Sequence, residues 1–273
     1  MRFFTCLSFA TSLVALWGCG SEGGGPTLGS GQGGAPVTIG SGGSGVVLTS
    51  GGAGGLSSSG GSGGADCSPT PVGLLRDFKV EHPDFEYALG DDRGIVQATL
   101  GADKKPVFAG GRHPTVTNAA NFDQWYRDTP NVNMTSEFTL PFTTAANGHL
   151  VYDDQSFFPL DGQGFGNEGN NHNFHFTFEL HMEFSYQQGD EFIFRGDDDV
   201  WVFVNNKLAI DLGGVHTAES ETLRLDERAA EFGITPGNKY PIDFFQAERH
   251  TSESSFRIET TLGFTNCTPI IVR

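Results

Sequence analysis

The chain has 273 residues, 33 of them Asp or Glu against 16 Lys or Arg, for a formal charge of −17. That balance argues against nucleic acid and anionic lipid surfaces as general partners and leaves room for divalent cations. Phenylalanine occurs 24 times, and most of those rings must be core, because so many exposed ones would aggregate.

Arg2 opens the chain, and Phe3 to Trp17 is mostly apolar. This run is shorter than the about 20 residues a membrane-spanning helix needs, so it reads as a leader. It ends in Leu16-Trp17-Gly18-Cys19, followed by the small residues Gly20 and Ser21. The pattern resembles a bacterial lipoprotein signal. The resemblance implies a signal peptide over residues 1–18 and palmitate-type lipidation of Cys19. It also implies a place at the bacterial cell surface or outer membrane, with a periplasm-facing orientation left open. The alternative is an ordinary secretory signal with Cys19 unmodified.

Residues 19–66 then read as a tether. Between Gly20 and Gly64, glycine fills 20 of 45 positions, with serine filling much of the rest. Such a segment has nothing to bury, and as a flexible coil it spans roughly 35–40 Å. Cys6 falls in the leader and Cys19 at the lipid site, which leaves Cys67 and Cys267. In an oxidising compartment a disulfide between these two is the simple expectation, with two free thiols as the alternative. No Cys-x-x-Cys is present, so zinc-thiolate and redox chemistry are not indicated. The folded domain is expected over residues 67–267, with a tail at 268–273.

Within that domain few stretches read as helix. Asp77 to Leu89 fits either class, Asn121 to Tyr126 suits one helical turn, and Leu223 to Phe232 suits two turns ended by Gly233. The clearest periodicity runs from Phe174 to Phe184. Phe174, Phe176, Phe178, Leu180, Met182 and Phe184 alternate with His175, Thr177, Glu179, His181 and Glu183, which predicts a half-buried strand. Gly189-Asp190 marks a turn, and Glu191 to Phe194 the next strand. Val200, Val202 and Val204 face one side of the following strand and Trp201 and Phe203 the other. Asn205-Asn206 supplies a tight turn, and Lys207 to Ile210 returns antiparallel. Tyr240 to Phe245 and Ser255 to Leu262 look like closing strands. Short strands separated by turns predict an all-β antiparallel sandwich or barrel with short helical insertions.

The most informative segment is Gly196-Asp197-Asp198-Asp199, which leads directly into Val200-Trp201-Val202-Phe203. Three adjacent carboxylates repel unless hydrogen bonds, water or a cation relieves them. The choice lies between a structural loop and a hard-cation site at a sheet rim. Calcium takes six to eight oxygens, and Asp197 and Asp198 offer up to four of them. Asp199 and Asp211 are further candidate ligands. The loop with Gly213, Gly214 and His216 is a candidate ligand-binding element, since glycines allow close backbone approach. This is no EF-hand, because its spaced acidic pattern is missing.

Several segments together carry a family resemblance: His82-Pro83-Asp84-Phe85-Glu86, Phe122 to Asp128, Phe157 to Gly162, His172 to Thr177, Gly196 to Phe203, and Phe245 to His250. The chain resembles the fibro-slime domain, a branch of the PA14-like β-sandwich group, over roughly Leu75 to Leu262. The resemblance implies a PA14-like antiparallel β-sandwich acting at a cell surface. It implies calcium held at Asp197 and Asp198 and a glycan as ligand. PA14-like modules also include structural and protein-binding members.

Other sites are weaker. His175, Glu179 and His181 lie along one strand, too far apart for one metal, and are expected to pack polar edges or meet solvent. Glu248-Arg249-His250 suits a structural salt bridge. No Gly-x-Ser-x-Gly, phosphate loop or dinucleotide fingerprint is present, so no catalytic residue is assigned. The leading expectation is a non-enzymatic, lipid-anchored, calcium-dependent surface binding module for carbohydrate. A matrix or surface protein with protein partners is the alternative, and a polysaccharide-acting enzyme ranks third.

Overall fold

A computed structural model describes residues 70–265 and 270–273. The expected leader and tether, the lipidation site Cys19 and the Cys67–Cys267 pairing all lie outside the described residues. Fourteen strands and two helices follow in chain order. They begin with β1 (Val72–Phe78), β2 (Gly90–Asp91), α1 (Ala119–Phe122), β3 (Asn133–Thr139), β4 (Thr143–Thr144), β5 (Leu150–Asp154), β6 (Phe176–Ser185) and β7 (Glu191–Gly196). Then come β8 (Asp199–Val204), β9 (Lys207–Leu212), β10 (Gly214–Val215), β11 (Glu219–Arg224), α2 (Leu225–Phe232), β12 (Lys239–Glu248), β13 (Phe256–Thr260) and β14 (Gly263–Phe264).

The architecture is all-β and antiparallel, as the alternation predicts. The larger sheet runs β3-β1-β6-β12-β8-β9, with β14 added beside β6, and the smaller runs β11-β7-β13-β5-β4. Their facing side chains form the main core. Phe178, Leu180, Val202 and Phe244 come from the larger sheet, and Phe192, Phe194, Phe256 and Ile258 from the smaller. Phe244 meets Phe256 edge-on at 5.3 Å between centroids. Each fully buried side chain of this kind contributes about 1.5–3 kcal/mol.

Local chemistry sets the predicted turns. Asn205 and Asn206 take φ values of 49° and 65°, the left-handed pair that a two-residue hairpin requires between β8 and β9. Helix α2 stops at Gly233, whose φ of 68° gives the left-handed C-terminal cap. The undecided stretch from Asp77 to Leu89 finishes β1 at Phe78 and continues as turns.

One expectation is corrected. Most of the polar side of β6 does not meet solvent: Thr177 and Glu179 are fully buried and His181 nearly so, while Glu183 near the strand's end is partly exposed. The outer face of the larger sheet is covered by a second core. Trp201, Phe203 and Phe245 of the sheet pack there against Ile95, Val96, Phe122, Trp125 and Tyr126. The polar positions of β6 are answered by charge instead of water. Lys105 Nζ donates to both Glu179 oxygens at 2.5 and 2.6 Å, and Arg76 Nη1 lies 3.1 Å from Glu179 Oε1. His181 Nδ1 meets Asp243 Oδ1 at 2.8 Å. Alternation alone cannot tell solvent from a second layer, because both present polar atoms at every other position.

Candidate functional site: a buried carboxylate cluster

Alternation along β12 places the site. Ile242 and Phe244 point into the main core, so Gln246 and Glu248 face the same way at the strand's far end. Phe245 and Ala247 face the second core, and Arg249 follows on that side. Polar atoms are thus carried into the end of the sandwich, where the β7–β8 connection brings Asp197 and Asp198.

Asp199 and Arg249 share the first bond of this region. Arg249 Nε donates to Asp199 Oδ2 at 2.6 Å, with neither side chain exposed. The other Asp199 oxygen accepts from the Gly214 N–H at 2.7 Å. The Arg249 guanidinium also donates to the Thr115 and Asp84 carbonyls at 2.6 and 3.1 Å, and lies 4.5 Å from the Trp125 ring centroid. Asp199 therefore balances a buried cation, and the pair fastens the covering segment to the sheet.

Asp198 is held in left-handed backbone, φ 53°, a conformation Asp tolerates better than most residues. Its N–H donates to the His216 carbonyl at 3.2 Å, and the His216 N–H returns to Asp198 Oδ1 at 3.2 Å. Asp198 Oδ2 accepts the Arg249 backbone N–H at 2.9 Å. Burial pushes the Asp198 carboxyl up to about 7, against the hydrogen bond and charge of Arg249.

Asp197 Oδ2 accepts the Ser255 N–H at 2.6 Å, while its Oδ1 is buried without a hydrogen-bond partner. Glu248 is fully buried beside the Asp198 carboxyl and the Ser254 hydroxyl, and neither of its oxygens makes a well-formed hydrogen bond. The Ser254 and Ser255 hydroxyls are also buried without a well-formed hydrogen bond. Burial raises the Glu248 pKa well above its ordinary value, and the neighbouring Asp198 and Asp197 charges push the same way. Buried polar groups nearly always find partners, so this many oxygens without a well-formed bond in one place call for an explanation. Sequence reasoning missed Glu248. It sits beside an arginine, which suggested a salt bridge, but the arginine turns to the opposite face.

The remaining candidates divide. Asp211 Oδ1 accepts from Trp201 Nε1 at 3.0 Å and from the Gly213 N–H at 3.2 Å; its Oδ2 accepts from the Gly94 N–H at 2.8 Å. Asp211 is therefore engaged in fixing the loop before β9's end. Gly213 and Gly214 allow the β2 segment to approach. A Cβ at Gly213 would sit 2.6 Å from the Asp92 carbonyl oxygen, and one at Gly214 only 2.4 Å from that of Gly90. The His216 side chain gathers instead with Asp91 and Glu219, their ligand-type atoms within 4.8 Å of one another, and Glu219 is ion-paired with Arg93. His175 lies between Glu168 and Glu86, 3.2 Å from each, and His250 meets the other Glu86 oxygen at 3.3 Å.

Two clefts flank the cluster. One, of about 400 Å³, is lined by Phe158, His172, Arg195, Asp197 and Ser254 among others. The second, of about 360 Å³, is lined by Leu89, Asp197, Asp198, Val215 and His250 among others. Both volumes fall in the range of small-molecule sites.

Known proteins are similar to this chain in two ways. Protein psiR of Dictyostelium discoideum is 42% identical over 202 residues, covering 67% of this chain and 20% of psiR. Protein psiD of the same organism is 41% identical over 207 residues, covering 70% of this chain and 40% of psiD. The chain thus spans well under half the length of these relatives. Among solved structures, a PA14 sugar-binding domain from an RTX adhesin aligns over 64% of this chain and 91% of its own, at 13% identity and a TM-score of 0.30. Residues 147–272 match the PA14 domain family, and the antiparallel two-sheet architecture around them agrees with that group.

Proposed function

We propose that the chain is a cation-dependent carbohydrate-binding module of a cell surface, with Asp197, Asp198 and Glu248 closing on one divalent cation; their ligand atoms are not gathered within 4.8 Å as those of Asp91, His216 and Glu219 are, so binding draws the three carboxylates together. The observation that carries the reading is a set of buried oxygens without a well-formed hydrogen bond: Asp197 Oδ1, and both oxygens of Glu248, which lies beside the Asp198 carboxyl and the Ser254 hydroxyl. Three carboxylates with no cation among them are costly to bury. An all-oxygen donor set of this charge suits Ca²⁺. Asp199 is assigned no direct role in this reading, since the Arg249 guanidinium already balances its charge, and neither is Asp211, whose Oδ1 accepts two hydrogen bonds and whose Oδ2 accepts a third. Asp198 accepts one backbone N–H on each oxygen, from His216 and Arg249, and each oxygen keeps a lone pair for a cation.

The carbohydrate part is supported by the clefts on either side of Asp197 and by the match to the PA14 family. The motifs around His82, Trp125 and Arg249 support the fibro-slime branch of that group. We place the domain on a lipid anchor at Cys19, at the outer surface of a bacterium, on the strength of the leader sequence.

Calorimetric titration with Ca²⁺ tests the cation. The wild-type protein is expected to bind one equivalent, and Asp197→Ala/Asp198→Ala to bind none. Equal affinity in the two proteins refutes the site. A glycan array run with and without chelator tests the ligand, with binding expected to vanish in chelator. Specific capture of a surface protein with no glycan bound favours a matrix role instead.

A further inference from the structure

The cleft beside Asp197 carries a feature that a neutral sugar does not need. Arg195, at the end of β7, lines the larger cleft and is exposed. Among the described residues its side-chain hydrogen bond goes to Gln155 Oε1 at 3.1 Å, and no carboxylate pairs with it. Its cross-strand neighbour Arg257 is paired with both Asp153 and Glu259. In a chain with 33 acidic and 16 basic residues, a guanidinium facing a cleft without an acidic partner is out of step with its surroundings. Guanidinium is the side chain best shaped to take a carboxylate by two parallel hydrogen bonds.

The same cleft has an aromatic part. Phe158 and His172 stack at 3.9 Å between centroids with only 7° between their planes, and both line the same cleft. Asp161 holds the His172 ring by a 2.7 Å contact at Nδ1, and Phe174 meets Phe158 edge-on at 5.1 Å. The pair is therefore fixed before any ligand arrives, and a pre-set apolar surface costs little ordering on binding. The two clefts share Asp197, Ser252 and Glu253 in their linings, one on either side of the carboxylate cluster. Clefts on both sides of the cluster suit a stretch within a chain better than a single terminal sugar.

We infer that the ligand is an acidic polysaccharide segment, its sugar carboxylate on Arg195, a ring against Phe158 and His172, and its hydroxyls at the cation beside Asp197. This rests on the carbohydrate reading above and adds the class of sugar. Against the chain's −17 charge, the cation offsets two of the three cluster carboxylates and Arg195 adds a positive charge in the cleft, while Glu253 is the one further acid lining it.

Oligogalacturonate and its carboxyl-reduced neutral counterpart provide the test, titrated in saturating Ca²⁺ into wild-type protein and Arg195→Gln, with thermal midpoints checked to be matched. The wild type is expected to prefer the acidic probe by about tenfold or more, and Arg195→Gln to lose that preference while keeping its affinity for the neutral probe. Phe158→Ala is expected to weaken both probes alike. Equal binding of the two probes by wild type, or a preference that survives Arg195→Gln, overturns this inference and leaves the carbohydrate reading standing. Binding of neither probe overturns this inference, and an array also empty in Ca²⁺ removes the carbohydrate reading with it.

Discussion

Asp199 and Arg249 form an ion pair, Oδ2 to Nε at 2.6 Å, in which neither side chain reaches solvent. The same arginine donates its backbone N–H to Asp198 and its guanidinium to the carbonyls of Asp84 and Thr115. One residue thus ties the acidic loop to the segment covering the sheet. Removing either partner leaves a buried charge uncompensated. Asp199→Ala and Arg249→Ala are each expected to cost about 3–5 kcal/mol, measured by urea unfolding at neutral pH. The double variant is expected to cost well less than the two singles summed, and strict additivity would show that the pair is not coupled.

Much of this was legible in advance because it is local. Asn205-Asn206 predicts its hairpin from backbone preference alone, and Val200 to Val204 announces two opposite faces by alternation. The acidic triplet marks the loop whose carboxylates are buried. The partner of each aspartate was not legible, because it depends on which element arrives from far along the chain: Arg249 lies 50 residues from Asp199. Glu248 was hidden for the same reason. Its orientation follows from the register of β12 against β6, where it stands opposite Phe176, and from the polar positions at that end being turned inward. The buried polar face of β6 was misread because a second layer over a sheet leaves no mark in the sheet's own sequence.

Glu248 also gives a test with opposite signs in two conditions. In chelator, Glu248→Gln replaces a buried carboxylate by a neutral group of the same shape, and its thermal midpoint is expected to equal or exceed that of wild type. In excess Ca²⁺, wild type is expected to be stabilised by RT ln(1 + [Ca²⁺]/Kd), about 2.7 kcal/mol at a hundredfold over Kd, with a matching rise in midpoint, and the variant to rise far less. Differential scanning fluorimetry reads both. A calcium shift of the same size in Glu248→Gln removes this residue from the cation site.

His181 sets a pH dependence away from that cluster. Burial lowers its pKa, but the hydrogen bonds and charges of Asp243 and Glu179 outweigh burial, and the net shift is upward from 6.5. A raised folded-state value means that the folded protein binds the proton more tightly than the unfolded chain. The resulting stability is fully present below pH 6.5 and is lost as pH rises through the folded-state value. Lys105 and Arg76 also contact Glu179, but both are present in wild type and in His181→Gln alike and so drop out of the difference between the two proteins. The unfolding free energy of wild type minus that of His181→Gln is therefore expected to shrink between pH 6 and pH 9. A gap independent of pH would falsify the assignment of that proton to His181.

Two glycines with positive φ differ in what surrounds them. Gly214 takes φ 116° and Gly237 takes φ 85°, both unfavourable to a side chain. At Gly237 an added Cβ meets nothing within 4 Å, whereas at Gly214 it lies 2.4 Å from the Gly90 carbonyl oxygen and 2.5 Å from the Asp92 nitrogen. Gly237→Ala is expected to cost about 1–2 kcal/mol from backbone strain alone. Gly214→Ala adds a clash with backbone on the partner strand, which cannot swing aside as a side chain would. It must displace β2 or β10 and weaken the Gly214 N–H bond to Asp199. Gly214→Ala is therefore expected to be the more destabilising in chemical denaturation, by at least about 1–2 kcal/mol beyond Gly237→Ala. It is also expected to speed amide hydrogen exchange around Asp91 and Gly214, where Gly237→Ala leaves exchange unchanged. Equal costs for the two would mean that β2 gives way freely and takes no part in positioning Asp199.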